Sequence, residues 1–83
     1  MTTKKVTLPT PIFRGESEVT EIELHEPSMA ALQGLEVSSV IRGDVTQLMI
    51  LLPKISDLND AEVRKLSFKN VTALSMAVTS FLG

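Results

Sequence analysis

The sequence predicts an α+β fold, an N-terminal antiparallel β-hairpin followed by a small bundle of three to five helices. Three observations carry that prediction. Residues 18–26 alternate between apolar and polar side chains, as a half-buried strand does. The glycines and prolines mark the joints between periodic segments. From Ser67 onward apolar residues recur at helical spacing almost to the end of the chain. With 83 residues the chain fits one domain, 1–83, the hairpin at 4–26 and the helical part at 28–83.

The first strand begins at Lys4, and Val6 and Leu8 share a face. Pro9 and Pro11 interrupt it, and prolines in sheets belong at edges or bulges. Ile12 and Phe13 follow, and Arg14-Gly15-Glu16-Ser17 forms a turn in which glycine supplies a positive φ. In the second strand Thr20, Ile22 and Leu24 fall on one face, and Val19, Glu21, Glu23 and His25 on the other. A lone hairpin is marginal in water, so the helices must cover its apolar face.

Glu26-Pro27-Ser28 closes the strand and opens a helix, with Ser28 as its cap or Pro27 in its first turn. That helix carries Met29, Leu32 and Leu35 and weakens at Gly34. Val37 to Arg42 fits a short helix or a buried extended piece, and Gly43 ends it. Asp44 caps a helix from Val45 to Leu52, which Pro53 stops. Its apolar residues cover nearly the whole circumference, as in a helix that is central or sandwiched between the domain and a partner. Asn59 and Glu62 have the spacing of a capping box for a short helix from Asp60 to Leu66. The last helix starts at Ser67 and runs to about Leu82. Its main apolar stripe is Phe68, Val71, Leu74, Val78, Phe81 and Leu82, and its far side holds Asn70, Ala73, Met76, Ala77, Thr79 and Ser80. No charged side chain follows Lys69, whereas an exposed helix back ordinarily carries Lys and Glu.

Composition points to association. Hydrophobic residues are 43% of the chain against 22% charged, more than so small an interior can hide, and the remainder marks an interface. Without cysteine there is no disulfide and no thiolate metal site, so support comes from self-association or a partner chain, and a homo-oligomer is expected. The net charge of −2 and the lack of a basic stripe argue against nucleic acid. The longest apolar run, Leu48 to Leu52, is far short of the roughly 20 residues that span a bilayer. Met1-Thr2-Thr3-Lys4-Lys5 does not lead into an apolar signal core, which places the protein in the cytoplasm where it is made.

Catalysis finds no support. Glu21, Glu23 and His25 share a strand face, but same-face neighbours stand roughly 6.5–7 Å apart and no Cys or second His joins them. A solvated charged face accounts for them. Asp44, Asp57 and Asp60 are helix-start and loop residues, and there is no glycine-rich phosphate loop. Neither an enzyme nor a metal or cofactor is expected. The candidate partner-binding residues are Leu48, Met49 and Leu52 on the apolar helix and Met76 and Phe81 on the terminal one. On this reading Leu48→Glu abolishes partner binding.

The ordered set Val6-Thr7-Leu8, Pro11-Ile12, Arg14-Gly15-Glu16, Val19-Thr20-Glu21-Ile22, Leu24 and Glu26-Pro27 resembles the start of the Mu-like phage tail assembly chaperone family. Leu32, Gly34-Leu35, Gly43-Asp44-Val45, Leu51-Leu52-Pro53-Lys54-Ile55-Ser56 and Ala61-Glu62-Val63 extend the resemblance to about Phe81. It implies a non-enzymatic chaperone that binds the tape measure protein and keeps it soluble while tail tube subunits polymerise around it. It also implies action in the cytoplasm of an infected or lysogenic bacterial host and absence from the mature virion. In the family a programmed ribosomal frameshift often adds a C-terminal domain. This chain would match the short form, with the extended form and the tail tube protein as further partners. A structural tail subunit retained in the virion and a generic small oligomeric adaptor are the alternatives.

Overall fold

The computed structural model describes residues 3–82, without the side chain of Leu82. The expectations for Met1, Thr2 and Leu82 in the terminal stripe lie outside the described residues. The predicted order holds: a two-stranded antiparallel hairpin, then helices.

Strand β1 (Thr3–Arg14) pairs with β2 (Ser17–His25) in two registers. From Thr3↔His25 to Thr7↔Glu21 the ladder is regular, and it resumes from Ile12↔Val19 to Arg14↔Ser17. Between them Leu8, Pro9, Thr10 and Pro11 stand against Thr20 alone. Proline has no N–H to give a ladder, so the prolines sit where the ladder is broken. Gly15 turns the chain with φ +63° and is the only residue of the turn in the left-handed region, which L side chains avoid.

The break moves side chains from the faces that simple alternation assigns. Ile22, Leu24 and Leu8 are buried as expected, but Thr20, opposite the bulge, is exposed. Val19, assigned to the solvent face, packs with Ile12 against the core. A bulge adds right-handed twist, and this one rotates the hairpin tip so that its other face meets the helices.

Helix α1 (Met29–Leu32) is a single turn capped by Ser28, whose Oγ accepts from Ala31 N at 3.2 Å, so Pro27 stands before the cap. Residues 37–41 form a helix, α2 (Val37–Ile41), which buries Val40 completely. Gly43, at φ +80°, then redirects the chain. Helix α3 (Val45–Ile55) starts at Asp44, whose carboxylate accepts from Gln47 N at 3.2 Å.

Pro53 does not end α3. The helix continues through it to Ile55, which is buried in the core. Burying Ile55 outweighs one missing hydrogen bond, and the carbonyl left without its i+4 donor belongs to the exposed residue Met49. Helix α4 (Asp60–Arg64) has the capping box in full: Glu62 N donates to Asn59 Oδ1 at 2.8 Å and Asn59 N to Glu62 Oε1 at 3.1 Å. It stops before Leu66, which packs at the core margin.

Helix α5 (Phe68–Leu82) lies along β1 and also packs on α2, while α3 touches α1, α2 and α4. Ile22 and Leu24 of the sheet, Leu48 and Leu51 of α3, and Leu74 and Val78 of α5 anchor one core. The inward face of α5 differs from the predicted stripe. Phe68 is 83% exposed and Ala77 packs against the core, while Asn70, assigned to the far side, is only 1% exposed. Asn70 stands four residues before Leu74 and eight before Val78, and so shares their face.

Candidate functional site

Two polar clamps fix how the hairpin meets the helices. Asn70 Oδ1 accepts from Thr10 N at 3.0 Å and its Nδ2 donates to Thr10 O at 2.7 Å. The side chain thus replaces the ladder partner that Thr10, between two prolines, lacks. At the hairpin tip Arg14 reaches the α3–α4 loop. Its Nε donates to Glu62 Oε2 at 2.7 Å and its Nη1 to Asp57 Oδ2 at 2.9 Å. The guanidinium beside them holds both carboxyls below their ordinary range, and the two carboxylates raise the Arg14 pKa in return.

The five nominated residues part company in the fold. Leu48 and Leu52 are each 1% exposed and form part of the core. They offer no surface to a partner, and Leu48→Glu would bury a carboxylate and disrupt the fold before it tested any contact. The α3 wheel is apolar all round because one side faces the core while Val45, Met49 and Ile50 face outward. Phe81 is partly buried against the core, with the Lys4 ammonium 5.2 Å from its ring centroid and bonded to Ser80 Oγ. Met49 and Met76 remain exposed, at 37% and 68%.

Two exposed apolar surfaces result. Met49, Ile50 and Pro53 of α3 face Val63 of α4 across a shallow groove, with Lys54 and Arg64 at its rim. On the other helix, Phe68, Thr72, Ala73 and Met76 line a second surface beside Pro9. Nothing in the sequence pattern separated Ile50 from its buried neighbours, and Phe68 matched the core stripe by spacing alone. The missed clamp at Asn70 had a signal: a lone amide at a core position of a helix, facing a strand interrupted by prolines.

His25, Glu21 and Glu23 lie exposed on the outer face of the hairpin. Among the described residues no group of three or more His, Asp or Glu side chains is placed to hold a metal ion. No helix among the described residues is long and apolar enough to cross a membrane.

Residues 5–83 match the family described as phage tail assembly chaperone proteins, E, or 41 or 14. Tail assembly protein E of Escherichia phage P2 is 32% identical over 79 residues, covering 93% of this chain and 87% of the relative. Tail assembly protein E′ of the same phage is also 32% identical over 79 residues, but these make up only 56% of its length. No solved structure matches. The resemblance read from the ordered motifs is borne out at the level of the family, with curated relatives from phage P2. The chain belongs to the phage tail assembly chaperone family, and its role lies in building a bacteriophage tail.

Proposed function

We propose that this chain binds the tape measure protein of its phage and keeps it soluble during tail assembly, as a non-enzymatic chaperone. The observation that carries this reading is the open apolar side of α3, where Val45, Met49 and Ile50 stay exposed on a helix whose opposite side is fully buried. A rigidly held apolar strip beside a groove suits helix-in-groove contact with a long helical partner. Methionine adapts to varied side chains, as binding at many places along one partner requires. Each contact can be weak, because many copies on one long chain act together. Such binding needs no acid–base pair.

Met49 is the nominated residue that lies in this groove, while Leu48 and Leu52 act from beneath by fixing the helix. The same reading places the protein in the cytoplasm of the bacterial host and leaves it out of the finished virion. Protein E′ matches over the same number of residues and is longer than E, which supports a frameshift-extended form of this chain as a second partner. The tail tube protein would then meet the coated tape measure as it polymerises.

Co-expression with the tape measure protein of the same phage tests the proposal. The expected result is that the tape measure becomes soluble and co-purifies with this chain, and that Ile50→Glu abolishes both while remaining folded. A tape measure that stays insoluble beside folded wild-type chain would overturn the reading. Stoichiometric amounts of this chain in purified virions would instead make it a tail subunit.

A further inference from the structure

We infer that the α3–α4 groove takes an amphipathic helix of a partner chain whose apolar stripe is flanked by a carboxylate on each side. This rests on the reading of the groove given above and adds the chemistry of the segment it recognises. Thr46, Met49, Ile50 and Pro53 lie on one face of α3 over two turns, and Val63 of α4 stands opposite. Lys54 lies on the α3 side of that apolar strip and Arg64 on the α4 side. A helix seated in the groove therefore meets one cation along each flank of its buried stripe.

Both cations are uncommitted. The two ion pairs among the described residues belong to Arg14, which takes Asp57 and Glu62, the carboxylates before and within α4. Lys54 Nζ reaches only the Ala31 carbonyl, at 3.5 Å, and Arg64 has no carboxylate within ion-pair distance among the described residues. The chain carries a net charge of −2, so this groove is a local reversal of sign. Asp60 is the one carboxylate of its lining, a turn before Arg64 on α4, and leaves the three charged groups net positive. It repels a run of acids along the α4 flank, so one carboxylate opposite Arg64 fits better than several.

A cation in the last turn is also what a helix dipole favours, and Lys54 and Arg64 stand in the last turns of α3 and α4. Any position around the last turn meets that preference. It does not require both cations at the rim of one apolar groove, on opposite walls. Charges at a rim add little to affinity but select among partners, and these two reject a segment with lysine on its flanks. They also argue against a second copy as the occupant. Two such grooves face to face would oppose Lys54 and Arg64 to their like, and α5, the other long helix, has no carboxylate to flank its apolar residues.

Two model peptides of about 18 residues, long enough to form a helix, test this by NMR titration of the isotope-labelled chain. They share one leucine stripe and differ only in having glutamate or lysine beside it. The glutamate peptide is expected to shift Met49, Ile50 and Val63 and to bind about tenfold more tightly than the lysine peptide, with a smaller gap in about 0.5 M salt. Lys54→Glu with Arg64→Glu should invert the preference. Lys54→Gln with Arg64→Gln, milder at the helix ends, should abolish it, and circular dichroism checks that both double variants fold. Equal affinity of the two peptides for the wild-type chain overturns the inference, as does no binding of the glutamate peptide or shifts centred outside the groove. So does a preference that survives in the folded glutamine variant. The functional reading stands or falls separately. A tape measure protein kept soluble equally well by wild type and the folded glutamine variant overturns the acidic flanks and leaves that reading standing. A tape measure that stays insoluble beside a chain that prefers the glutamate peptide overturns the reading and not the preference of the groove.

Discussion

Pro9 and Pro11 leave the backbone of Thr10 without a cross-strand partner, and Asn70 supplies one from the facing helix. Replacing Asn70 by Ala strands an N–H and a carbonyl and opens a small gap at a buried position. We expect a loss of about 2 kcal/mol, measured by urea denaturation, and at least as much for Asn70→Asp, which buries a carboxylate and sets one of its oxygens against the Thr10 carbonyl. Arg14 works at the surface, where solvent screens its ion pairs to about 1 kcal/mol in total. Its signature is the pH dependence. Asp57 and Glu62 titrate below their ordinary 3.8 and 4.5 in the folded chain because Arg14 donates to their charged forms. Groups so depressed stabilise the fold fully above the unfolded values and lose that contribution as pH falls through the folded ones. The stability gap between wild type and Arg14→Met should therefore be complete at pH 7 and should close as the pH falls through the lowered folded-state values of the two carboxyls. A gap that persists in acid would mean that Arg14 acts by packing its stem.

At the scale of the element, α3 is the informative case. A proline in its last turn removes one helical hydrogen bond, yet the helix runs on to bury Ile55. Pro53→Ala should restore the bond to the Met49 carbonyl and raise the urea midpoint, by about 1 kcal/mol or more in stability. A destabilised Pro53→Ala would show that the proline ring holds the groove wall between α3 and α4. The same helix explains why its apolar wheel was legible but its contact face was not. Periodicity marks a helix apolar on all sides, and only its neighbours decide which side is covered. Hydropathy cannot distinguish Leu48 from Ile50; only the tertiary packing does, which draws Leu48 into the shared core and leaves Ile50 outside it.

Across the whole molecule, the core is small and every large side chain in it counts. Leu48→Ala should cost about 2–5 kcal/mol, a large share of what a domain of this size possesses, and thermal melting should find the variant partly unfolded at ordinary temperature. Met49→Ala, one residue away and on the outside, should melt within a few degrees of wild type. Equal losses from both would mean that the α3 face is covered in the free protein, as in an oligomer that buries it. The radius of gyration, 12.0 Å, is about what a compact chain of 83 residues has, so the exposed apolar surface reflects a shortage of interior and not a loose fold.

By itself the sequence determined the order of elements, their caps and their joints, because these depend on residues near each other in the chain. Ser28, Asp44 and Asn59 cap the helices that follow them, and Gly15 and Gly43 turn where the backbone requires a positive φ. It also carried the family, through the order and spacing of short motifs along the chain. Only the tertiary structure decided which face of each element is covered. Burial depends on residues distant in sequence, and the proline-broken ladder shifts the phase of the hairpin tip beyond it. So Thr20 and Val19 exchanged surroundings at the broken ladder, and on α5 the face that meets β1 took Asn70 in and left Phe68 out. The apolar excess was legible as composition, but its division into a groove on α3 and a ridge on α5 was fixed when the hairpin and α2 closed over the other sides of those helices.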